Sequence, residues 1–274
     1  MRKIFVCIVV CTLLLNGCTA NEKDLPKRLR LTTTTSVNDS GLLEYLRPYI
    51  LEEANISLEI VSLGSGAALE AGKRGDADVL LVHSPAVEKI FVDEGYGIKR
   101  STFMYNFFVI IGPSSDPAQI KSLSAADALK KIELLESPFI SRGDNSGTHS
   151  KEKSLWKLAG LDAEVVSTDT SFYVSAGSGM GATLTMASEK QAYTLSDLAT
   201  FLSMKGKLSL DIIINKSPDL RNDYSIIVIN PDKVANVDVD TAKAFEEWML
   251  SDRALKLISE YGKDTYKEAL FFTE

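Results

Sequence analysis

Thiols and imidazoles are scarce in this sequence of 274 residues, which has three cysteines and two histidines. The cysteines, Cys7, Cys11 and Cys18, all precede position 19, so the rest of the chain has no disulfide framework. A chain of this length buries a core large enough to fold without disulfide bonds. It also lacks clustered metal ligands and the HExxH and GxSxG motifs, which argues against a metalloprotease or an α/β-hydrolase.

Basic residues are also fewer than acidic ones. The 30 Lys and Arg residues are outnumbered by 37 Asp and Glu residues, which gives a net charge of −7 without any basic stripe. Nucleic-acid binding depends on such a stripe, so we expect no nucleic-acid partner. The composition, 45% hydrophobic and 24% charged, is typical of a packed globular protein. The length permits one large domain or two compact lobes.

Long apolar runs are confined to the N-terminus. Two basic residues there precede the apolar run 4–15, which is too short for a comfortable membrane span. The run leads into LNGC, ending at Cys18, and these four residues resemble the lipobox of bacterial lipoproteins. We therefore expect 1–17 to be a signal peptide, Cys18 to be lipidated and 18–28 to be a tether. The protein would be exported and held at the membrane through lipid only; an uncleaved anchor helix is the alternative.

Short apolar runs alternate with helical patterns along the rest of the chain. This alternation is typical of an α/β fold with parallel sheets. Eight runs are predicted to be strands, over 29–33, 57–62, 77–83, 105–112, 138–142, 163–168, 208–214 and 224–230. Helical spacing predicts helices over 41–53, 66–73, 86–94, 124–135, 148–160, 179–189, 196–204 and 241–260.

Two of these strands share a pattern. YNFFVIIGP at 105–113 and YSIIVINP at 224–231 are both aromatic and then aliphatic, and both run into a proline. We interpret them as paired crossings between two lobes. The predicted first lobe comprises 29–106 plus 229–274, and the predicted second lobe comprises 107–228.

The segment TTTTSVNDSGLL, 32–43, takes a strand into a hydroxyl-rich turn and then into a helix. A helix N-terminus has unsatisfied backbone N–H groups and a partial positive charge, so it can hold an anion without a formal counter-ion. Thr34, Thr35 and Ser36 are the candidate donors. An ST-turn at the end of a strand would use the same residues without any ligand.

A second turn of this kind lies in LGSGAALEAG, 63–72, where Ser65 and the N–H groups after it are candidate donors. The segment is not a P-loop, because the required glycine and hydroxyl positions are occupied by other residues. Farther on, His83 lies at the C-terminal end of a predicted strand, the edge at which α/β folds bind ligands. It either lines the site or is a structural histidine.

The segment SRGDNSGTH, 141–149, is the most specific of the candidates. A strand ends on Arg142, a glycine-rich turn follows, and Ser146 and Thr148 accompany the start of a helix. The planar guanidinium group suits an oxyanion, and it would be the only full positive charge in the site. We expect Asp144 to orient Arg142 or to cap the helix. Adhesion through the Arg-Gly-Asp tripeptide is a weaker alternative.

A fourth glycine-rich segment, SAGSGMGATLTMA at 175–187, also begins a helix. Backbone N–H groups near Gly181 could close over a ligand, although a tight turn without a ligand would look the same.

A hydrolase would need a nucleophile and a base. Ser146 and His149 are the obvious pair in this sequence, and their spacing puts them near one helix start without requiring contact.

Taken together, TTTS with SGLL, the GSG turn, VLLVHSP, RGDxSGTH, AYTLSD and NDYSIIVINP resemble the tungstate-binding proteins of bacterial ABC importers. The resemblance covers essentially the whole mature chain. It implies a type II periplasmic binding protein fold, α/β with two lobes, two hinge crossings and a ligand cleft. It further implies a binding protein without enzymatic activity or cofactor, which captures tungstate, and often molybdate, and delivers it to a membrane permease with its ATPase. A monomer is the simplest expectation.

Carried over by motif, the resemblance implies a ligand set drawn from three loops: Thr34, Thr35 and Ser36; Ser65; and Arg142, Ser146 and Thr148. The extra Thr32 leaves the register of the first loop open by one residue. Another tetrahedral oxyanion, phosphate or sulfate, is the alternative ligand, and phosphate gains weight if the Asp144 carboxylate faces the cavity.

Overall fold

The computed structural model describes residues 25–273 and has a mixed α/β fold. Its strands are β1 (Lys27–Thr34), β2 (Ile56–Leu63), β3 (Val79–Val82), β4 (Ser101–Gly112), β5 (Phe139–Ser141), β6 (Tyr173–Ser175), β7 (Thr194–Asp197), β8 (Asp211–Ile214), β9 (Arg221–Val228) and β10 (Phe272–Thr273). Its helices are α1 (Thr35–Asp39), α2 (Leu42–Ala54), α3 (Ser65–Arg74), α4 (Pro85–Asp93), α5 (Ala125–Leu134), α6 (Gly147–Leu158), α7 (Ala163–Val166), α8 (Met180–Lys190), α9 (Leu198–Met204), α10 (Val239–Met249), α11 (Asp252–Glu260) and α12 (Lys263–Tyr266). Cys18 and the predicted signal peptide lie outside the described residues.

The main sheet has the strand order β10-β4-β9-β3-β1-β2, and β7 and β8 pair with the far half of β4. Strand β1 pairs in parallel with β2 and β3, as the sequence predicts. Strand β9, by contrast, is antiparallel to both β3 and β4, so the main sheet is mixed where parallel sheets were expected. The reason lies in the connectivity: β4 takes the chain out of the first lobe into the second, and β9 brings it back in the opposite direction.

Strand β4 belongs to two parts of the molecule. Its first part, Ser101–Phe107, pairs with β9, and its second part, from Phe108 onward, pairs with β7 and β8. Asn106 lies directly opposite Asn222 of β9 at this transition. The arrangement is that of two lobes joined by two crossing strands. The lobe boundaries stay a prediction, and the pairing of β9 from Arg221 favours a return point at the start of that strand.

Each lobe has buried apolar side chains that fix its strands. In the first lobe all of β3 is buried, as the four-residue run Val-Leu-Leu-Val requires. In the second lobe the rings of Phe139, Trp156 and Tyr173 pack together, with Trp156 edge-on to Phe139. These cores bring the C-terminal ends of β1, β3 and β5 into fixed positions, and each of these strands leads into a candidate loop.

Local structure differs from the prediction in a few places. The run 163–168 is not a strand: Ala163–Val166 forms helix α7, because the carboxylate of Asp162 accepts the N–H of Glu164 and caps it. The predicted helix 241–260 is two helices, since the Ser251 hydroxyl accepts the N–H of Ala254 and starts α11. The short strands β6, β7 and β10 were not predicted. Within 25–273, no helix has the length and apolar character needed to span a bilayer.

Candidate functional site

The first candidate loop follows β1. The hydroxyl of Thr33 donates to the carbonyl of Leu81 at 2.8 Å, so Thr33 still belongs to the sheet. Helix α1 begins at Thr35, one residue after the strand ends, with Thr34 as its N-cap residue. Thr34, Thr35 and Ser36 therefore surround a helix start, although the sequence predicted only a turn there. This order also places Thr32 within the strand, away from the turn.

Ser36 leads into a chain of side-chain hydrogen bonds. Its Oγ lies 3.0 Å from Nε2 of His83, and Nδ1 of His83 lies 3.0 Å from Oδ1 of Asn222. The Asn222 amide nitrogen donates to Oδ1 of Asn106 at 2.9 Å. Thr34 Oγ1 is 3.3 Å from Ser36 Oγ, which extends the chain by one hydroxyl. The first loop is thus tied to both crossing strands.

His83 is a buried, hydrogen-bonded histidine that also contacts the candidate site. Burial lowers its pKa, and the charge of Lys151 acts in the same direction, whereas Glu88 and the Asn222 hydrogen bond oppose the shift. The sequence left two roles open for this residue, and the structure combines them: the ring is satisfied on both nitrogens and still touches Ser36.

Ser65 opens helix α3, which is 10 residues long. Its side chain is buried, with 7% of the residue surface exposed. The hydroxyl has no hydrogen-bond partner within the described residues. A buried hydroxyl without a partner is costly and therefore unusual, so its presence at a helix N-terminus points to a ligand that completes it.

Arg142 follows β5 and is almost fully buried, with 8% of its surface exposed. Its Nε donates to Oδ2 of Asp144 at 2.9 Å, and its Nη2 lies at the same distance from that oxygen. The other carboxylate oxygen, Oδ1, accepts the N–H of Ser146. Asp144 therefore orients Arg142, as expected.

The turn after Arg142 requires glycine. Gly143 has φ of +62°, and a Cβ at this position would lie 1.7 Å from Oγ of Ser175. In this turn Arg142 is buried and Asp144 is partly exposed, and the two charges pair with each other. That geometry does not present the tripeptide for adhesion.

Helix α6 begins directly after this turn. Ser146 is its N-cap, and its hydroxyl accepts the N–H of His149 at 3.3 Å. Thr148 is 2% exposed, and its hydroxyl has no hydrogen-bond partner in the described part of the chain. It is thus the counterpart of Ser65 on the second lobe.

The Ser146 and His149 pair lacks the geometry of a nucleophile and its base. Ser146 Oγ interacts with the backbone N–H of His149, not with the ring. The ring atom Nδ1 of His149 accepts the N–H of Asn145 at 3.0 Å. Burial lowers the pKa of His149, and Lys153 adds to the effect. Both side chains hold the loop in shape.

A buried carboxylate supports the loop 141–149, which is the second candidate loop. Glu152 accepts the hydroxyls of Ser141 at 2.7 Å and Tyr173 at 2.8 Å, and the indole N–H of Trp156 at 3.2 Å. Ser141 in turn accepts the N–H of Gly143 at 3.1 Å. Burial raises the pKa of Glu152 despite these three donors. The carboxylate therefore fixes the turn from which Arg142 projects.

A second acidic residue lies near the guanidinium. Asp197 ends β7 and caps α9 by accepting the N–H of Thr200 at 2.9 Å. Burial raises its pKa, and the positive charge of Arg142 is among the influences that lower it. Asp144 is therefore the carboxylate that pairs with Arg142, whereas Asp197 interacts with its charge without an ion pair being formed.

The fold brings the loop of Ser36 and the start of α6 together at His83. A Cβ on Gly147, at the start of α6, would lie 2.6 Å from Cε1 of His83, so the second-lobe helix touches the first-lobe histidine. Through His83 the loop of Ser36 and the loop of Ser146 and Thr148 are adjacent. Gly181 lies in the first turn of α8, and no hydrogen bond joins it to the other candidates within the described residues.

Four contributing residues were missed from the sequence: Asn106, Asn222, Glu152 and Asp197. The sequence could have indicated Asn106, because its polar amide interrupts an otherwise apolar strand. Glu152 lies at helical spacing from Thr148 but resembles an ordinary charged residue on a helix face. Asp197 ends the motif AYTLSD and Asn222 begins NDYSIIVINP, so both belong to segments that carry the family resemblance, but neither motif indicated a role for these two side chains.

Comparison with known proteins gives a consistent result. The family model described as PBP superfamily domain matches residues 21–253. A curated tungstate-binding protein TupA from Peptoclostridium acidaminophilum is 48% identical over 99% of this chain and 97% of its own length. The chain belongs to the TupA family within the PBP superfamily.

Solved structures of this family share the fold. The tungstate-binding protein TupA from Desulfovibrio alaskensis is 41% identical, with a TM-score of 0.81 over 90% of this chain and 99% of that one. The tungstate ABC transporter structure from Geobacter sulfurreducens is 44% identical, with a TM-score of 0.75 over 85% and 98% of the two chains. The two-lobed α/β architecture expected from the resemblance to TupA proteins is thereby confirmed.

Proposed function

We propose that this protein captures tungstate, and also accepts molybdate, in the cleft between its lobes. The first lobe contributes hydroxyl and backbone N–H donors of the loop Thr34, Thr35 and Ser36, together with Ser65. The second contributes Arg142, Ser146 and Thr148, and Gly181 closes over the ligand through its backbone. The protein acts by binding, without catalysis and without a cofactor, in keeping with the binding proteins that it resembles.

The unpartnered hydroxyls of Ser65 and Thr148 carry this proposal. Each is buried at the start of a helix, one in each lobe, and each has a donor to give. A bound oxyanion would satisfy both hydroxyls at once. A chance packing defect would explain one such hydroxyl. Two of them, both at predicted ligand positions, are explained together by one acceptor that binds to both.

The charge pattern of the site suits a fully deprotonated dianion. Arg142 supplies a charge-assisted donor, while both oxygens of Asp144 are engaged by donors of their own loop. The lining therefore offers donors to the ligand. Tungstate and molybdate carry no proton at neutral pH, whereas hydrogen phosphate needs an acceptor, so such a lining disfavours phosphate.

Export and delivery complete the proposed role. We propose that 1–17 acts as a lipoprotein signal peptide, that lipidated Cys18 and the tether 18–28 hold the protein outside the cell membrane, and that it works as a monomer. The closed form would be presented to an ABC permease coupled to an ATPase. The lobes, 29–106 plus 229–274 and 107–228, would close about the β4 and β9 crossings.

A thermal-shift panel tests the ligand. The chain from residue 19 onward would be heated with tungstate, molybdate, sulfate, phosphate or buffer alone. A ligand at about 1,000 times its Kd stabilises by ~4.1 kcal/mol, which raises Tm by roughly 8–16 °C for a protein of this size. We expect a large shift with tungstate and molybdate, and a much smaller one in a Ser65→Ala/Thr148→Val variant. A shift with phosphate or sulfate instead would move the specificity, and no shift with any oxyanion would contradict the proposal.

A further inference from the structure

His83 occupies a position that no ligand argument requires. It lies after β3 in the first lobe, yet it connects three separate elements: the loop of Ser36, the crossing strand that carries Asn222, and the second-lobe helix that begins at Gly147. The ring of Tyr224 packs against it, with centroids 5.0 Å apart. Both ring nitrogens need partners once they are buried, and here those partners come from the candidate loop and from a crossing strand.

The hydrogen-bond chain fixes the tautomer of His83. Asn222 donates through its amide nitrogen to Asn106, so its oxygen is the atom that faces His83. That oxygen can only accept, which places the ring proton on Nδ1. The other ring nitrogen, Nε2, then has a lone pair and accepts the hydroxyl proton of Ser36. The donors run in one direction, from Ser36 to Asn106.

We propose that His83 is a positioning residue for the anion site, which orients Ser36 and ties its loop to the two crossing strands. Because Ser36 donates its hydroxyl hydrogen to Nε2 of His83, its side chain is held in one rotamer, and the donor left to Ser36 for an anion is its backbone N–H. The lowered pKa of His83 supports the neutral tautomer that this role needs. The groups that face the ring with charge are Glu88 and Lys151, and their effects on it are opposite.

The same arrangement connects ligand binding with closure of the lobes. His83 meets Gly147 of the second lobe and Asn222 at the crossing, where Asn222 lies opposite Asn106. Movement of the lobes about this crossing therefore changes the surroundings of the ring that holds Ser36. The inference rests on the proposed function, because it assigns His83 a role in shaping the tungstate site.

The tautomer provides a test that needs no ligand. Nitrogen-15 NMR of histidine-labelled protein distinguishes Nδ1–H from Nε2–H rings. His149 is the matched control, because its Nδ1 accepts the N–H of Asn145 and its neutral ring must carry the proton on Nε2. We expect one ring of each tautomer, with the Nε2–H signals lost in a His149→Gln variant. An Nε2–H or doubly protonated His83 at neutral pH would overturn the proposal.

A double-mutant cycle on tungstate affinity tests the role itself. Ser36→Ala, His83→Leu and Asn222→Leu should each weaken binding about tenfold, because each breaks the same chain. His83→Leu in the Ser36→Ala background should cost little more. His83→Gln, which keeps a group near the Nε2 position, should restore part of the affinity, and His83→Asn should not.

The outcomes separate the inference from the proposed function. The positioning role would be overturned if the Ser36→Ala/His83→Leu variant lost about 100-fold in affinity, because the two losses would then be independent. Wild-type affinity in His83→Leu would overturn it as well. In both cases tungstate binding by the protein would stand. Failure of the wild-type chain to bind tungstate would contradict the proposed function and this role together, whatever the tautomer. Melting curves of each ligand-free variant establish that the affinities refer to folded protein.

Discussion

The two halves of the candidate site differ in charge. The first-lobe half consists of the loop Thr34, Thr35 and Ser36 and of Ser65, none of which bears a formal charge. The second-lobe half contains Arg142, which is paired with Asp144 inside its own loop. A neutral half and a self-compensated half together avoid excess positive charge while the cleft is empty. We therefore expect anion binding to combine the one charge-assisted donor of Arg142 with neutral donors held in a fixed geometry.

The halves also differ in how they are held. The first loop is anchored through His83 to both crossing strands, and so to the part of the molecule that moves if the lobes close. The second loop is anchored within its own lobe, through Ser141 and the buried carboxylate of Glu152. The first loop is thus anchored across the lobe boundary, whereas the second is anchored inside one lobe.

Removal of the Arg142 charge should have the largest effect. Arg142→Ala deletes a charge-assisted donor, for which about 1.5–3 kcal/mol is typical, and it leaves Asp144 unpaired near the anion. We expect tungstate affinity, measured by isothermal titration, to fall about 100-fold. The Arg142→Ala/Asp144→Ala variant separates the two causes, because it removes the unpaired carboxylate as well. Unchanged affinity in Arg142→Ala would show that the neutral half suffices.

Distortion of the second loop should come next. Gly143→Ala introduces a Cβ against Ser175 at a positive φ, so the loop must shift and displace Arg142. We expect affinity to fall about tenfold and the free energy of unfolding by about 1 kcal/mol or more. Gly177→Ala is the matched control: its φ is +59°, but nothing lies within 4 Å of the added atom. It should lower stability and leave affinity nearly intact; equal affinity losses would mean that strain alone, without the clash, disturbs the site.

The two unpartnered hydroxyls allow a direct comparison of the lobes. Ser65→Ala and Thr148→Val should each weaken tungstate binding by about 0.5–1.5 kcal/mol, or roughly 2- to 12-fold. Neither should lower the Tm of the ligand-free protein, since each removes a buried group that has no partner. Ser146→Ala is the contrasting variant, because loss of its helix cap should cost about 1 kcal/mol of stability. A lower ligand-free Tm in Ser65→Ala would show that its hydroxyl is already satisfied.

The smallest effect concerns pH. Burial raises the pKa of Glu152 above the ordinary value of 4.5, so the folded state holds this proton more tightly than the unfolded state. Its contribution to stability is present below about pH 4.5 and is lost as pH rises through the folded pKa. We expect the free energy of unfolding of wild type, relative to Glu152→Gln, to decline across that interval and then level off. Urea titrations at a series of pH values measure this difference, and a flat difference would contradict the raised pKa.

Much of the fold followed from local patterns. The apolar runs that became β1, β2, β3 and the crossings β4 and β9 were legible because buried strands leave continuous apolar stretches. The strand predicted at 163–168 was wrong because the short apolar run there does not outweigh the helix cap that Asp162 provides. Strands β6 and β7 were missed since they are only three and four residues long and are defined by their neighbours.

The candidate site also has features that the sequence predicted and features that it did not. The sequence by itself determined the hydroxyl-rich and glycine-rich turns, the helix starts that follow them, and the local pairing of Arg142 with Asp144, because these features depend on residues close together in the chain. Only the tertiary structure decided that Ser36 meets His83, that His83 meets Asn222, 139 residues away, and that Gly147 packs against the same ring. Such contacts arise where strands and helices from distant segments converge, and no periodicity along the sequence records that convergence.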